Sequence, residues 1–257
     1  MEPGRIAAII QPLQHCIAGT LGKTTTWWCA DTMEKHTYSN RRGKGFKFLF
    51  NGKDLTGWRG VLKQTPPEKG WEVAEGLLHI LPGDTTSKSK YGDLLTTNQF
   101  KAFELNFDFK LTEGANSGVK YFVTESPASQ RAGLGLEYQV LDDERHPDAK
   151  MGTLGNRTMS SLYDLIPADT LGSRFKKKIG EWNNAKIIVY PNNLVQHWLN
   201  GFKVVEYVRG SSIYKVLVVH SKFADKKDYG LAEQAPILLQ DHGNSVYYKN
   251  IKISELK

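Results

Sequence analysis

From Phe46 to the C-terminus, apolar and polar positions alternate in short runs broken by glycine and asparagine. The clearest run sets Phe103, Leu105, Phe107, Phe109 and Leu111 against Glu104, Asn106, Asp108 and Lys110. A period of two over nine residues predicts a strand with one buried face. Leu134, Leu136, Tyr138 and Val140 repeat the pattern, with Glu137 and Gln139 on an open face. Residues 71–73 and 77–81 flank Glu75-Gly76 and predict a hairpin, and Asn51-Gly52 and Asn200-Gly201 mark tight turns. Further strands are predicted at 46–50, at 119–123 after a turn over 113–118, and at 186–190, 195–199, 203–207, 237–240 and 246–253. Residues 213–221 suit a short helix or a strand. Residues 149–181 hold several glycines and little periodicity, which predicts a functional or flexible loop. About a dozen strands at intervals of roughly 8 to 12 residues, with no long amphipathic helix, predict an all-β sandwich of jelly-roll type. A closed barrel is the second architecture. No fixed-period repeat supports a propeller.

Composition narrows the class. The 257 residues are 40% hydrophobic, enough for a sizeable core. No apolar run reaches the roughly 18 residues of a membrane span. The net charge of +7 is scattered apart from Arg41-Arg42-Gly43-Lys44 and Lys176-Lys177-Lys178. No nucleic-acid motif accompanies either cluster, so both read as solvated surface and no nucleic-acid partner is expected. The two cysteines, Cys16 and Cys29, lie in the first 30 residues. A disulfide or cysteine-based zinc site inside the main body is therefore excluded, and a Cys16–Cys29 pair would only tether the arm. Residues 1–45 read as an N-terminal arm and linker, with 46–257 as a single β-sandwich domain. The arm fits a degenerate export signal, a cloning artefact or an ordered extension, and the sequence does not choose. It carries no signal for oligomeric state either.

Strand periodicity puts Glu137 and Gln139 on one face, roughly 7 Å apart. The loop that follows carries Asp142, Asp143, Glu144 and His146. Lys120 has the parity of Phe122 on the preceding strand, while Gln240 and His242 share parity near the C-terminus. His197 shares parity with Val195 and Leu199. Acids, a base, amides and aromatics on one concave face suit a sugar, whose hydroxyls want paired hydrogen bonds and whose ring wants an apolar platform. Blander roles stand beside these. Glu137 reads also as a solvated strand residue, the commoner case, and Asp142-Asp143-Glu144 as a turn cap or, less readily, a calcium ligand set. There is no GxSxG, phosphate-loop or dinucleotide fingerprint.

Seven segments in order carry a resemblance: FLFNGKDLTGW at 48–58, NSGVKYF at 116–122, GLEYQVLDDERHPDAKMGTLGNRT at 135–158, SLYDLI at 161–166, GEWNNAKIIV at 180–189, VQHWLNGFKVVEY at 195–207 and ILLQDHGNSVYYKNIKI at 237–253. Together they resemble the 3-keto-disaccharide hydrolase domain family from about residue 46 onward. The resemblance implies a jelly roll of the concanavalin A-like lectin/glucanase type and a periplasmic or secreted protein. It implies cleavage of glycosides already oxidised at sugar C3, with a carbohydrate as partner. A C3 ketone acidifies the C2 proton, so a base can form an enolate that expels the aglycone by β-elimination. Glu137 or His146 is the expected base, and Lys120, Arg157 or a divalent metal would steady the enolate. No cofactor is otherwise implied. Asn116, Gln139, Asp142, His197, Gln240 and His242 are the expected hydroxyl ligands, with Asn116 equally explained by its turn and Arg157 by loop closure. A non-catalytic carbohydrate-binding module and a hydrolase of unoxidised glycans are the alternatives.

Overall fold

A computed structural model describes residues 16–21, 24–29, 32–39, 45–83, 91–126 and 133–257. The chain divides into two compact units, Met1–Gly43 and Lys44–Lys257. In the first, β1 (Cys16–Leu21), β2 (Thr24–Cys29) and β3 (Thr32–Ser39) form an antiparallel sheet. Its backbone register sets Cys16 opposite Cys29. Part of the expected linker is thus a strand, rich in the threonine and tyrosine that favour pleated backbone.

The second unit is an all-β jelly-roll sandwich of two antiparallel sheets. Its strands are β4 (Lys47–Phe48), β5 (Trp58–Gly60), β6 (Trp71–Ala74), β7 (Leu77–Ile80), β8 (Leu94–Thr96), β9 (Phe103–Leu111), β10 (Asn116–Thr124) and β11 (Leu134–Leu141). They continue as β12 (Trp182–Val189), β13 (Leu194–Leu199), β14 (Phe202–Val208), β15 (Leu238–Leu239) and β16 (Val246–Glu255). The smaller sheet runs β11-β10-β15-β8-β5, and the larger runs β14-β13-β12-β9-β16-β7-β6 with β4 on β16. The alternation in β9 is fully realised, every odd position buried and every even one half-exposed. Its phenylalanines pack between the sheets, Phe107 edge-on to Tyr138 at 5.5 Å and Phe103 edge-on to Tyr121 at 6.4 Å. The hairpin of β6 and β7 turns at Glu75 and Gly76, both with positive φ, as a primed turn demands.

Three expectations change, and the open choice of helix or strand over 213–221 falls to the helix. The strand predicted over 46–50 shrinks to Lys47–Phe48. Residues 212–219 form a helix, Ser212–Val219, capped by Ser211, whose hydroxyl accepts the Tyr214 N–H. β10 begins at Asn116 instead of after the turn, and it bulges at Phe122, where φ is 52°. The bulge swings Phe122 into the core against Phe103, so Lys120 does not share a face with it. β11 is buried on both faces, not open on one. The reason lies in the long loop. As the last strand of its sheet, β11 has a free edge, and residues 160–163 pair with it. Ser160 N–H donates to Gln139 O at 2.8 Å, and Tyr163 N–H donates to Glu137 O at 3.0 Å.

Candidate active site

A cavity opens over the face of β10 and β11 that points away from the core. Cross-strand register places Lys120 opposite Glu137 and Gly118 opposite Gln139. Gly118 makes the space: a Cβ there would stand 2.8 Å from Glu137 Cδ, so only glycine lets the glutamate lie across the sheet. Glu137 is 5% exposed, with Oε2 3.7 Å from Lys120 Nζ. Burial pushes its carboxyl above the usual range, and the charges of Lys120 and Lys222 pull it partly back. Lys120 Nζ also donates to Gly133 O at 3.3 Å.

Asn116 and Gln240 enter from neighbouring positions, Gln240 tied by its N–H to Gly118 O at 2.9 Å. Both amide oxygens, Asn116 Oδ1 and Gln240 Oε1, are buried without a hydrogen-bond partner. Leaving such an acceptor bare costs about 1–3 kcal/mol, which a ligand hydroxyl would recover. Gln139 and His242 complete this side of the lining.

The opposite wall comes from segments without sequence periodicity. Asp148 sits in the turn Pro147–Lys150 at the start of the long loop, Tyr163 lies within that loop, and Lys222 and Phe223 follow the helix Ser212–Val219. Tyr163 Oη donates to Asp148 Oδ2 at 2.8 Å. The Lys222 ammonium lies 4.0 Å over the Tyr163 ring, and burial lowers its pKa. Its backbone N–H donates to Asp164 Oδ2 at 2.7 Å. Arg157 grips both acids, through Nε to Asp164 Oδ1 at 2.6 Å and Nη1 to Asp148 Oδ1 at 3.0 Å. The structure thus makes Arg157 a clamp on the loop, behind the lining, instead of a group facing an enolate. Asp148, Tyr163, Lys222 and Phe223 are lining residues absent from the expected site; the segments at 135–158 and 161–166 contain the first two, and no quoted segment contains the others.

Three further expectations are corrected by position. His197 is fully buried between the sheets, away from the cavity. Its Nδ1–H donates to Ser160 O at 3.1 Å, and Nε2 accepts from Tyr121 Oη at 2.8 Å. Asp142 caps a turn: Oδ2 accepts the Gly114 N–H at 2.8 Å, and Oδ1 accepts those of Glu144 and Arg145. Asp143 accepts the Met159 N–H and pairs with Lys176. The oxygens of the proposed calcium triplet are therefore largely taken, and among the described residues no group of three His, Cys, Asp or Glu side chains is placed to hold a metal. His146 caps the turn Pro147–Lys150 by accepting the Asp148 N–H at Nδ1, 3.2 Å away. Its neutral ring must then carry the proton on Nε2, which makes it a donor while that cap holds. Its ring meets His242 edge-on at 6.4 Å.

A jelly roll with a polar cavity, one buried carboxylate and two lysines defines the class. Residues 45–254 match the 3-keto-alpha-glucoside-1,2-lyase-like domain. The chain belongs to that family, and its relatives place it among the glycoside hydrolases. A 3-keto-disaccharide hydrolase of Bacteroides thetaiotaomicron is 36% identical over 234 residues, covering 82% of this chain and 79% of that protein. A proposed glycosyl hydrolase of Parabacteroides distasonis, known from a crystal structure, is 33% identical, with a TM-score of 0.72 over 83% of this chain and 95% of its own. A second from the same organism is 27% identical, with a TM-score of 0.59 over 83% of this chain and 100% of its own.

Proposed function

We propose that this protein cleaves glycosides whose sugar ring carries a ketone at C3, by removing the C2 proton and expelling the aglycone from C1. The supporting observation is the charge set of the cavity. An ordinary glycosidase sets two working carboxylates about the glycosidic bond. Here Glu137 stands against two lysines, while Asp148, the other carboxylate of the lining, is held by Arg157 and Tyr163. One base and two cations suit an enolate better than an oxocarbenium ion.

In this reading Glu137 takes the proton from C2. The electron pair forms the C2–C3 double bond and the charge settles on the C3 oxygen, stabilised by Lys120 and Lys222. Reforming the C3 carbonyl drives the pair into a C1–C2 double bond as the C1–O bond breaks. The leaving oxygen is protonated from Glu137. Water then adds across C1–C2, with hydroxyl at C1, to give net hydrolysis. Asn116, Gln139, Gln240 and His242 bind hydroxyls.

The test is release of a chromogenic aglycone from a 3-keto-glucoside, beside its unoxidised parent, each with and without a chelator. Release from the keto compound alone is expected. Release from both compounds makes the protein a hydrolase of ordinary glycans, and binding without release makes it a binding module. Loss of release on chelation transfers the enolate-steadying role to a divalent metal. Slower release from a C2-deuterated substrate is expected where proton transfer limits the rate. The reading includes export to the periplasm or medium, checked by fractionating the producing cells. Among the described residues no helix is long and apolar enough to cross a membrane.

A further inference from the structure

The cavity holds two lysines, and their surroundings differ. Lys120 Nζ donates to Gly133 O at 3.3 Å and stands 3.7 Å from Glu137 Oε2. Among the described residues the Lys222 ammonium has neither a hydrogen bond nor an ion pair. It lies instead over two rings, 4.0 Å from the centre of Tyr163 and 5.2 Å from that of Phe223. The Arg157 guanidinium shares the first ring, 5.4 Å from its centre. Arg157 also takes a side-chain oxygen of each nearby acid, Asp148 and Asp164. Lys222 is held from behind by its backbone, whose N–H donates to Asp164 Oδ2 at 2.7 Å.

A lysine crowded by a second cation, packed on rings and left without an acid of its own is in the setting that makes an amine nucleophilic. The ring face works the other way and favours the charge. Burial lowers the Lys222 pKa; Glu137 opposes the fall and Arg157 adds to it. Lysines that lie on rings for packing alone are found elsewhere in this sandwich. Lys249, for example, stands 4.0 Å over Trp182 on the larger sheet, and both are half-exposed. Lys222 differs in lining the cavity that also holds Glu137.

We propose that Lys222 is a catalytic residue that forms a Schiff base with the C3 ketone of the substrate. This rests on the reading that a 3-keto sugar occupies the cavity, and it replaces the ionic contact of Lys222 with the C3 oxygen by a covalent bond. The amine nitrogen attacks C3, and the carbonyl oxygen leaves as water with two protons of the original ammonium. The nitrogen keeps the third proton and the positive charge. Glu137 then takes the C2 proton. The C2–H electron pair forms a C2–C3 double bond, and the C3–N double-bond pair moves onto nitrogen, giving a neutral enamine. The enamine returns its pair, the C1–O bond breaks, and the leaving oxygen takes the proton from Glu137. One water adds across C1–C2, with hydroxyl at C1, and a second hydrolyses the imine to restore the ketone and the ammonium. A protonated imine withdraws electrons more strongly than a ketone, so the C2 proton becomes easier to remove.

The experiment uses a 3-keto anhydroglucitol, which offers the ketone but has no aglycone to lose, together with cyanoborohydride, which reduces imines in preference to ketones. The full-length protein is incubated with both and digested, and the modified lysine is located by mass spectrometry. The expected result is one sugar, attached at Lys222, and none in Lys222→Arg, which keeps the charge but forms no imine. That variant should also lose cleavage of a 3-keto-glucoside. No adduct, an adduct on Lys120, or adducts spread over surface lysines overturns the proposal, and so does full activity of Lys222→Arg. If the variant does not fold, the wild-type adduct decides alone. Release of aglycone from a 3-keto-glucoside without an adduct refutes the Schiff base and leaves the cleavage reading standing. An adduct at Lys222 without release of any aglycone refutes the cleavage reading and keeps the Schiff base.

Discussion

His197 sets up a pH dependence of stability that can be worked through from its surroundings. The ring is fully buried, Nδ1–H donating to Ser160 O and Nε2 accepting from Tyr121 Oη, which in turn lies 2.9 Å from Tyr207 Oη. Every partner suits the neutral ring. Burial pushes its pKa down from 6.5 to about 4. A lowered folded-state pKa means the unfolded chain binds the proton first as pH falls. The contribution of the neutral ring is therefore full above about pH 6.5 and is lost as pH drops toward 4. At 1.36 kcal/mol for each pH unit, the gap comes to about 3 kcal/mol. The comparison chain is His197→Gln, which keeps a donor for Ser160 and an acceptor for Tyr121 but does not titrate. Urea unfolding of both at pH 8, 7, 6, 5 and 4 isolates the term, because Glu137 and the other carboxylates titrate alike in the two chains. The wild type should lose about 3 kcal/mol more than the variant between pH 7 and 4. Parallel pH slopes would refute the reasoning and mean that the ring is protonated in place or hydrated.

Replacing Glu137 with Gln should cut kcat/KM for a 3-keto-glucoside by about a hundredfold or more, with the far-UV circular dichroism unchanged; full activity would remove it as base. Because burial raises the Glu137 pKa, the acid limb of the wild-type kcat/KM profile should lie above the usual carboxylate range, with activity falling as pH drops through it. Gly118→Ala should displace the Glu137 side chain at a cost of about 1–3 kcal/mol and lower activity while β10 and β11 stay paired, which a crystal structure would show directly. Arg157→Met leaves Asp148 and Asp164 partly buried without their cation, so it should cost about 3 kcal/mol in urea unfolding and speed proteolytic cleavage within residues 149–181.

Where a strand has one wet face, the sequence shows it, and β9 is legible to the residue. β11 lies where its alternation predicts, but the face that the pattern leaves open is covered by a loop with no period to read. Lys222, Asp148 and Tyr163 escaped for the same reason: they reach the cavity from irregular segments, where position along the chain says nothing about direction. The bulge at Phe122 broke the parity argument for Lys120 and Phe122, since one inserted residue resets every later side chain. His197 was different, because the signal was present. It shares parity with Val195 and Leu199, and in a sandwich the apolar parity is the interior one. In the sequence Asn116 suits a turn as well as a ligand, because β10 starts three residues earlier than its apolar run.

The loop over β11 joins stability to chemistry. An edge strand exposes unpaired N–H and C=O groups, and residues 160–163 satisfy those of β11 through Gln139 and Glu137. The same coverage takes Glu137 out of water. Desolvation is the largest influence on its carboxyl, ahead of either lysine, so its basicity depends on how closely the loop is held. Arg157 holds it by joining Asp148 to Asp164, and Asp164 also accepts the backbone N–H of Lys222. The clamp therefore fixes Lys222 in the same step that it keeps water from Glu137. With Glu137 as the proposed base, a group that touches no substrate would still govern the acid limb: loosening it would rehydrate Glu137, lower its pKa toward the ordinary range and weaken the base. Protection of the edge, burial of the carboxylate and placement of Lys222 are one structural event, which is why the catalytic role proposed for β11 is not a property of the strand alone.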